Sequence, residues 1–356
     1  MNLFSGAQTL APTLDILINQ RRLPIAAYAD LLTTTVDQSV DTMGMFTLQI
    51  YTWDLVKGQV TWADDALFEI GNEVEIQMGY GNRSQRLMIG EITGLETQFE
   101  KDDYPTLVVR GHDFRYRLML GEKTRSFKQM KESDIARKIA TEANLAAQVE
   151  DTKIRLDHVW QHNQTDWNFL QTRANRINYD VTIEDKTLHF RPAQRQSAST
   201  LTLTWGETLL EFSPRLSVLS QVTQVEVRGW NPQEKKLFIG KASSKIEAPR
   251  PGSSKTGPAI AKQEFGAVKR AILDLPIASQ EEADQIALQQ FNQQASLYIS
   301  AEGHCQGLPD LKAGINVTIA GVGRRFSGEY EVTSATHTYS RNVGYSTDFT
   351  ARRKLP

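Results

Sequence analysis

Apolar and polar residues alternate in the first and last thirds of this 356-residue chain, and the alternation limits its fold more than any other feature. In the first third, Val74-Glu75-Ile76-Gln77-Met78 is followed by Gly79-Tyr80-Gly81-Asn82, which suits a turn. In the last third, Ile315-Asn316-Val317-Thr318-Ile319 repeats the pattern. A period of two is typical of a strand with one buried face. Both regions are therefore expected to be antiparallel β-structure, each a small barrel or sandwich.

The middle of the chain changes to the period of helices. Ser133 and Thr165 are each predicted to cap a helix, because their hydroxyls can accept from free backbone N–H groups. Ser279 and Glu282 have the spacing of a capping box and predict a third helix. The predicted apolar faces are Ile135, Ile139, Ala143 and Ala146; Trp167, Leu170, Ala174 and Ile177; and Ala283, Ile286, Ala287 and Phe291.

These patterns divide the chain into four parts. A stretch rich in Ser, Lys, Pro and Gly, residues 240–262, has no period and is predicted to be a mobile loop that proteases cut first. The predicted parts are a first β-domain, 1–118; an α+β module, 119–197; a second β-domain, 198–232 with 298–356; and an insertion holding the mobile loop and a helix, 233–297.

The two β-regions carry a weak sign of duplication. Gly71 and Gly314 each stand just before an alternating strand. Gly90 and Gly328 each lie in a strand after the following turn. This correspondence predicts that the two regions are similar barrels with related strand orders.

Composition and charge exclude several classes of protein. Forty Lys and Arg residues against 42 Asp and Glu residues give a net charge of -2, so no overall electrostatic affinity for nucleic acid or anionic membrane is expected. One cysteine, Cys305, excludes an intramolecular disulfide and a cysteine-rich metal site. No apolar run approaches the roughly 18 residues of a membrane span, and the first residues lack the basic start of a signal peptide. The sequence indicates a soluble protein made in the cytoplasm.

No group of residues has the spacing of a catalytic, cofactor-binding or metal site. His158 and His162 lack the further ligand and base that a hydrolytic zinc site needs. Gly111-His112-Asp113 lacks an activated serine, and Asp113 is expected to cap the next turn. His304 and Cys305 are neighbours in a predicted strand and are expected to point to opposite faces. We therefore expect no enzyme and no cofactor.

Several short motifs follow one another along nearly the whole chain. They are 68–71, 90–93, 109–113, 164–170, 279–283, 303–314, 321–323, 326–332 and 344–349, with His337 before the last. Their order and spacing resemble the phage late control protein D family, which includes the hub portion of VgrG proteins and baseplate hubs of contractile tails. The family usually has Ser where Thr165 stands, and both residues can cap a helix.

The resemblance implies a β-rich α+β fold with two tube-like antiparallel β-barrel domains in each chain. It also implies a homotrimer in which six barrels surround a hollow axis. A chain of this family would be the structural central hub of the baseplate in a phage tail, a tailocin or another contractile injection system. Its expected partners are a trimeric spike, the hexameric tail tube or its initiator, and other baseplate proteins, with no membrane and no specific nucleic acid. The expected location is the baseplate of the assembled particle, after synthesis in the bacterial cytoplasm.

Two other functions remain open at this point. A cell-wall-degrading enzyme of the same apparatus would need a pair of carboxylates in a cleft. A carbohydrate-binding β-protein would show aromatic side chains on one face, whereas Trp167 and Trp205 stand in apolar patterns. Because the chain stops soon after Phe349, the spike is expected to be a separate polypeptide. The basic residues Arg352, Arg353 and Lys354 are expected either near the junction with that spike or in a frayed terminus.

Overall fold

The computed structural model describes residues 11–193, 201–231, 235–243, 256–273, 277 and 279–353. It is a β-rich α+β protein, which confirms the predicted class. The described residues form four hydrophobic clusters, the fourth of which comes from a segment that interrupts the third. No helix in the described ranges is long and apolar enough to cross a membrane.

The first cluster is enclosed by the first β unit, which is formed by the strands up to residue 113. Most of these strands alternate between buried and partly exposed residues, as the sequence predicts. Its elements are β1 (Pro12–Ile18), β2 (Arg21–Arg22), α1 (Ile25–Asp30), β3 (Leu31–Ser39), β4 (Met45–Tyr51), β5 (Trp53–Asp54), β6 (Gln59–Val60), β7 (Glu73–Tyr80), β8 (Arg83–Gln98) and β9 (Thr106–Asp113), with short 3-10 turns at Trp62–Asp64 and Ala66–Phe68.

The second cluster belongs to the α+β unit. Helices α3 and α4 bury their apolar faces against two small sheets, β10–β12 and β11–β14–β13. Residues 179–184 and 187–192 pair antiparallel in a hairpin. The elements are α2 (Tyr116–Met119), β10 (Lys123–Lys131), α3 (Glu132–Glu142), β11 (Ala146–Val149), β12 (Arg155–Gln164), α4 (Asp166–Arg176), β13 (Tyr179–Glu184) and β14 (Thr187–Pro192).

The remaining two clusters belong to the second β unit and to the insertion unit that interrupts it. The second β unit contains β15 (Leu201–Thr204), β16 (Leu209–Leu216), β20 (Ile299–Gln306), β21 (Asn316–Ala320), α7 (Gly323–Phe326), β22 (Gly328–Ser340) and β23 (Gly344–Arg353). The insertion unit contains β17 (Gln224–Asn231), β18 (Lys236–Ser243), α5 (Gly257–Phe265), β19 (Lys269–Ile272) and α6 (Gln280–Ser296).

The insertion unit differs from its prediction in two ways. Val225 and Val227, which the sequence analysis placed in the second β-domain, lie in β17, and β17 pairs only with β18 and β19 in the described ranges. Their side chains are buried in the cluster under α6. The prediction failed because an alternating pattern does not specify which sheet a strand joins. The predicted loop 240–262 is also too long, since its ends form β18 and α5; residues 244–255 lie outside the described residues.

One continuous sheet joins the two β units. Its order is β16-β20-β23-β22-β3-β4-β9-β8-β7-β1-β2, and β21 and β15 branch from β22. The link is β22, whose residues Ser334–Ser340 pair antiparallel with Ser39–Thr33 of β3. At the tip of the β22–β23 hairpin, Tyr345 lies in the first cluster with its ring 5.8 Å from that of Tyr80.

The two β units share one strand order, which confirms that part of the duplication prediction. The first runs β1-β7-β8-β9-β4-β3 and the second β15-β21-β22-β23-β20-β16, in matching chain order. Only the first strand differs in direction, since β1 is antiparallel to β7 and β15 is parallel to β21. Close superposition of the two units stays a prediction.

One of the two glycine pairs, Gly71 with Gly314, occupies equivalent places in the two units, whereas Gly90 is equivalent to Tyr330 and not to Gly328. Gly71 and Gly314 have φ values of 92° and 87°, which favour glycine. The Gly71 N–H donates to the Ile92 carbonyl at 2.8 Å, and the Gly314 N–H donates to the Val332 carbonyl at 2.8 Å. The register also shifts at equivalent points, after Ile92 and Val332 and again after Leu31 and Leu209. In β8 and β22, equivalent residues therefore differ by 240 in number.

Two of the three predicted helix caps are confirmed. Thr165 accepts from the Asn168 N–H at 3.2 Å, and Ser279 accepts from the Glu282 N–H at 3.2 Å. The prediction for Ser133 is wrong, because α3 begins at Glu132 with Lys131 at its N-cap and Ser133 is buried in the first turn. Ala146, assigned to the face of that helix, lies instead in β11.

The caps give a first testable prediction. Ser279→Ala is expected to lower the free energy of unfolding by about 1 kcal/mol, because one N–H at the start of α6 loses its acceptor. Denaturant titration of the full chain measures this loss. Ser300→Ala, at an exposed position of β20, serves as a control outside any helix, and an equal loss in both variants would contradict the capping role.

Candidate functional surface

The face of the continuous sheet that is turned away from the clusters of the two β units is polar across eight strands. At its β8 end this face meets the α+β unit, where Ile89 packs against the second cluster and Glu91 accepts from Tyr116 and Arg117. One row of paired residues crosses it from β16 to β8: Glu211, His304, Asp348, Thr336, Asp37, Met45, His112 and Glu91. Seven of these eight side chains are polar. A sheet that buried both faces would carry apolar side chains on each. This face, which we call the polar face, is therefore built to meet water or a polar partner.

Hydrogen bonds between strands hold the polar face in place. His304 Nδ1 lies 2.7 Å from an Asp348 carboxylate oxygen, and the Thr336 hydroxyl donates to Asp37 at 2.7 Å. The guanidinium of Arg352 donates to Glu331 at 2.8 Å. A shallow groove of about 270 Å³ crosses the part in the second β unit, and its lining includes Glu211, Glu302, His304, Ser334, Thr336 and Asp348. The groove is acidic, with three carboxylates against one histidine.

The two dyads considered from the sequence lie in ordinary structural roles. Cys305 is buried, and burial raises the pKa of its thiol to about 12, so the thiol stays protonated at neutral pH. His304 lies on the polar face, which confirms that the two neighbours point apart. Asp113 accepts from the N–H groups of Gly44 at 2.7 Å and Arg115 at 3.0 Å, which confirms its role in the turn. His112 Nδ1 lies 2.7 Å from the Thr93 hydroxyl, and burial lowers the pKa of His112.

His158 and His162 lie on the exposed face of β12, on either side of Trp160. The ring centroids of Trp160 and His162 are 4.6 Å apart. In the described ranges, no three His, Cys, Asp or Glu side chains are grouped so that they could hold a metal ion.

Exposed aromatic side chains gather where the β8–β9 hairpin turns. Trp53, Phe99 and Tyr104 line an open groove of about 600 Å³ with Glu100, Lys101 and Asp103. Phe99 and Tyr104 are 60% and 52% exposed, so half or more of each ring faces solvent. Trp205 is exposed as well, at 57%, which corrects its assignment to an apolar pattern. It follows β15 at the turn into β16, where side chains leave the buried row.

The described sheets have several open strand edges, and two of them lie at the ends of the eight-strand polar face, where sequence reasoning did not find them. Apart from an isolated bridge between Leu209 and Trp205, strand β16 pairs only with β20, and residues 94–98 of β8 pair only with β9. An open edge presents unpaired N–H and C=O groups, which attract another strand. The usable sequence signal was the paired glycines, because they align the two β units and so reveal which edges correspond.

The basic residues near the C terminus are part of the sheet. Arg352 and Arg353 belong to β23, and Arg353 donates to the Ser327 carbonyl at 3.0 Å. The prediction of a frayed terminus is therefore wrong for these two residues, and Lys354 lies outside the described residues.

Solved structures of phage tail proteins share this fold. The 43 kDa tail protein of prophage MuSo2 from Shewanella oneidensis has a TM-score of 0.73 at 12% identity, covering 97% of this chain and 98% of its own. The tail protein from Neisseria meningitidis MC58 has a TM-score of 0.70 at 13% identity, covering 96% and 97%. The c3393 protein of E. coli, a type VI secretion component similar to the T4 tail proteins gp27 and gp5, has a TM-score of 0.52 at 13% identity, covering 95% and 76%. The chain thus has a tail-hub-like fold.

The sequence comparisons are less informative about role. One family model, described as the Alg8 N-terminal domain, matches residues 8–341. No curated protein matches the chain.

Proposed function

Because the chain belongs to the family described as the Alg8 N-terminal domain and has the fold of phage tail proteins, we propose that it is a structural hub of a tail baseplate. The role rests on the fold and not on the family description, which names a domain and no activity. In this role the chain forms a homotrimer that joins a hexameric tail tube to a separate trimeric spike. Its membership of the late control protein D type of hub is part of the same proposal.

The duplicated sheet is the observation that carries this proposal. Each chain holds two units with the same strand order and the same register shifts. Three such chains around one axis place six similar units in a ring. A ring of that kind matches threefold symmetry on one side and sixfold symmetry on the other, which a joint between a trimer and a hexamer requires.

The polar face supports the same role. A sheet face with serine, threonine and carboxylate side chains from β16 to β3 suits the wall of a water-filled channel. Its groove holds the carboxylates that a cell-wall-degrading enzyme would need, but it is shallow, and one of them, Asp348, lies 2.7 Å from His304 Nδ1. The fold shared with tail proteins favours the structural role. We therefore propose a structural role over that of a cell-wall-degrading enzyme, and incorporation into a tail particle as the location.

The proposal predicts three copies at the axis of the particle. A reconstruction of the tail baseplate is expected to show six β units of this chain around the channel, with the polar face toward the axis. Mass measurement on the purified hub with its tube and spike neighbours is expected to give three chains in each complex. A single copy at the axis, or a spike covalently continuous with this chain, would contradict the proposal.

A further inference from the structure

The junction between the two β units within one chain is a strand pairing that the duplicated sheet can repeat. In that junction, β22 pairs with β3, so that Thr336 lies opposite Asp37 and Thr338 lies opposite Thr35. The Thr336 hydroxyl donates to Asp37 at 2.7 Å. The junction therefore joins one unit to the next through main-chain pairing and through side chains on the polar face.

The strands equivalent to these two each have an open edge. Strand β8 corresponds to β22, and β16 corresponds to β3, as the strand orders and register shifts show. In the described ranges, residues 94–98 of β8 have an open edge where β22 pairs with β3. Likewise, β16 has an open edge where β3 pairs with β22. Each chain thus carries both halves of a second junction, at opposite ends of the eight-strand part of the sheet.

We propose that β16 of one copy pairs antiparallel with residues 94–98 of β8 in the next copy, so that the junction within the chain is repeated between chains. This inference rests on the proposed trimer and names the surfaces that close it. The contact is head-to-tail, which is the type that generates a closed ring. The continuous sheet would then run from chain to chain around the axis.

The register of this contact follows from the equivalence. Residues of β3 and β16 differ by 178, since Thr35 pairs with Thr47 in the first unit and Ser213 pairs with Glu302 at the equivalent place in the second. Arg215 of one copy therefore lies opposite Glu96 of the next, and Ser213 lies opposite Gln98. In the described ranges Arg215 is exposed and has no ion pair, whereas the Glu96 side chain is 57% exposed beside Arg110. The contact brings an unpaired cation to a partly exposed anion.

The other face of the same strands is apolar. In this register Leu216 lies opposite Leu95, and Phe212 lies opposite Phe99. Leu216 is 39% exposed and Phe99 is 60% exposed in the single chain, so both would lose contact with water at the junction. Pro214 has no N–H, which gives β16 one donor fewer than β3. The apolar and charged pairs together favour a second copy over an unrelated strand as the occupant.

A pair of engineered cysteines tests the register directly. Ser213→Cys with Gln98→Cys places two thiols on directly opposite residues, whose Cα atoms lie about 4.5–5.5 Å apart in an antiparallel pair, within the range of a disulfide. Thr35→Cys with Thr338→Cys is the matched control, because it occupies the equivalent rung within one chain. Cys305 is buried and does not compete.

For the first variant, we expect disulfide-linked dimers and trimers, no larger species, and their disappearance on reduction. For the control, we expect an intrachain disulfide only. If the control closes and the first variant does not cross-link in a chain that mass measurement shows to be trimeric, the junction is wrong and the trimer stands. If cross-links form only to a spike or tube protein, the occupant is wrong. A chain that stays monomeric in solution and in the particle overturns the trimer and the junction together.

Charge reversal provides an independent test. Arg215→Glu is expected to raise the dissociation constant of the trimer at least about tenfold at low salt, because it opposes Glu96 with a like charge. Adding Glu96→Arg is expected to restore most of the affinity. Lys128→Glu, an exposed charge change in the α+β unit, serves as the control. Equal effects of Arg215→Glu and Lys128→Glu on the dissociation constant would contradict the pairing. So would a failure of Glu96→Arg to restore affinity in the double variant.

Discussion

Gly111→Ala is expected to destabilise the protein by about 3 kcal/mol, even though it adds a single methyl group. A Cβ at Gly111 would lie 2.1 Å from the Phe46 ring and 2.5 Å from the Glu91 carbonyl oxygen. Both contacts are too close for a real methyl group. The ring is fully buried in the first cluster, and the carbonyl belongs to the neighbouring strand, so neither moves without disturbing the sheet.

The second β unit suggests the compensating change. Gly111 and Phe46 correspond to Ala351 and Ala301, which pair directly across β23 and β20. Phe46→Ala alone is expected to cost roughly 3–5 kcal/mol through the cavity that it leaves. The double variant Gly111→Ala with Phe46→Ala is expected to lose roughly 1–3 kcal/mol less unfolding free energy than the sum of the two single losses.

Denaturant titration of the wild type, both single variants and the double variant closes this cycle. Gly94→Ala is a control, because a Cβ there meets no atom within 4 Å. Additive losses in the double variant would show that the ring and the methyl group do not compete for the same space. The Ala351–Ala301 pair of the second β unit would then be no guide to the stability of the Gly111–Phe46 pair in the first.

Lowering the pH from 7.5 to 4.5 is expected to reduce the free energy of unfolding by up to about 3 kcal/mol through His337 alone. His337 is fully buried in β22, and burial lowers its pKa from 6.5 to about 4. The Tyr345 hydroxyl lies 2.8 Å and the Thr347 hydroxyl 3.1 Å from its Nδ1, and the charge of Lys312 also disfavours a second cation.

The sign follows from which state binds the proton. Between about pH 6.5 and pH 4 the unfolded chain protonates this histidine and the folded chain does not. Stability is therefore fully present above pH 6.5 and falls as the pH drops toward 4. His337→Gln removes the titrating group, so its free energy of unfolding is expected to depend less on pH than that of the wild type.

The difference between the two pH curves isolates His337, because every other titrating group is present in both proteins. His158→Gln is the matched control, since His158 is exposed on β12. Parallel curves for the wild type and His337→Gln would show that the folded chain already accepts this proton near pH 6.5.

Local patterns in the sequence predicted the elements well where one residue decides the local structure. The hydroxyls of Thr165 and Ser279 fixed two helix starts, and the glycines at 71 and 314 marked equivalent strand mouths. Partners distant in sequence were not predictable, because a period of two reports burial and not the neighbouring strand. Val225 and Val227 alternate like strands of the second β unit and yet pair in another sheet.

The candidate surface was less predictable than the fold. The pairing of β22 with β3 joins residues about 300 positions apart, and no local pattern encodes a contact of that separation. The open edges of β8 and β16 likewise depend on which strands each of them pairs with, and no local pattern shows this. Trp205 shows the same limit. Its alternation with Leu201 and Leu203 predicts a buried side chain, but strand β15 ends at Thr204 and Trp205 is exposed.

The pairing of β22 with β3 can form only late in the synthesis of the chain. Strand β3 leaves the ribosome long before the strand that covers it, and at roughly 5–20 residues per second the delay is about 15–60 s. Tyr345, which completes the first hydrophobic cluster, is made still later. Throughout this interval β3 has an uncovered edge, and a β3 edge resembles the β16 edge that another copy would use. Neighbouring chains on one messenger can therefore pair with the wrong strand before the right one exists, and slow synthesis increases that risk.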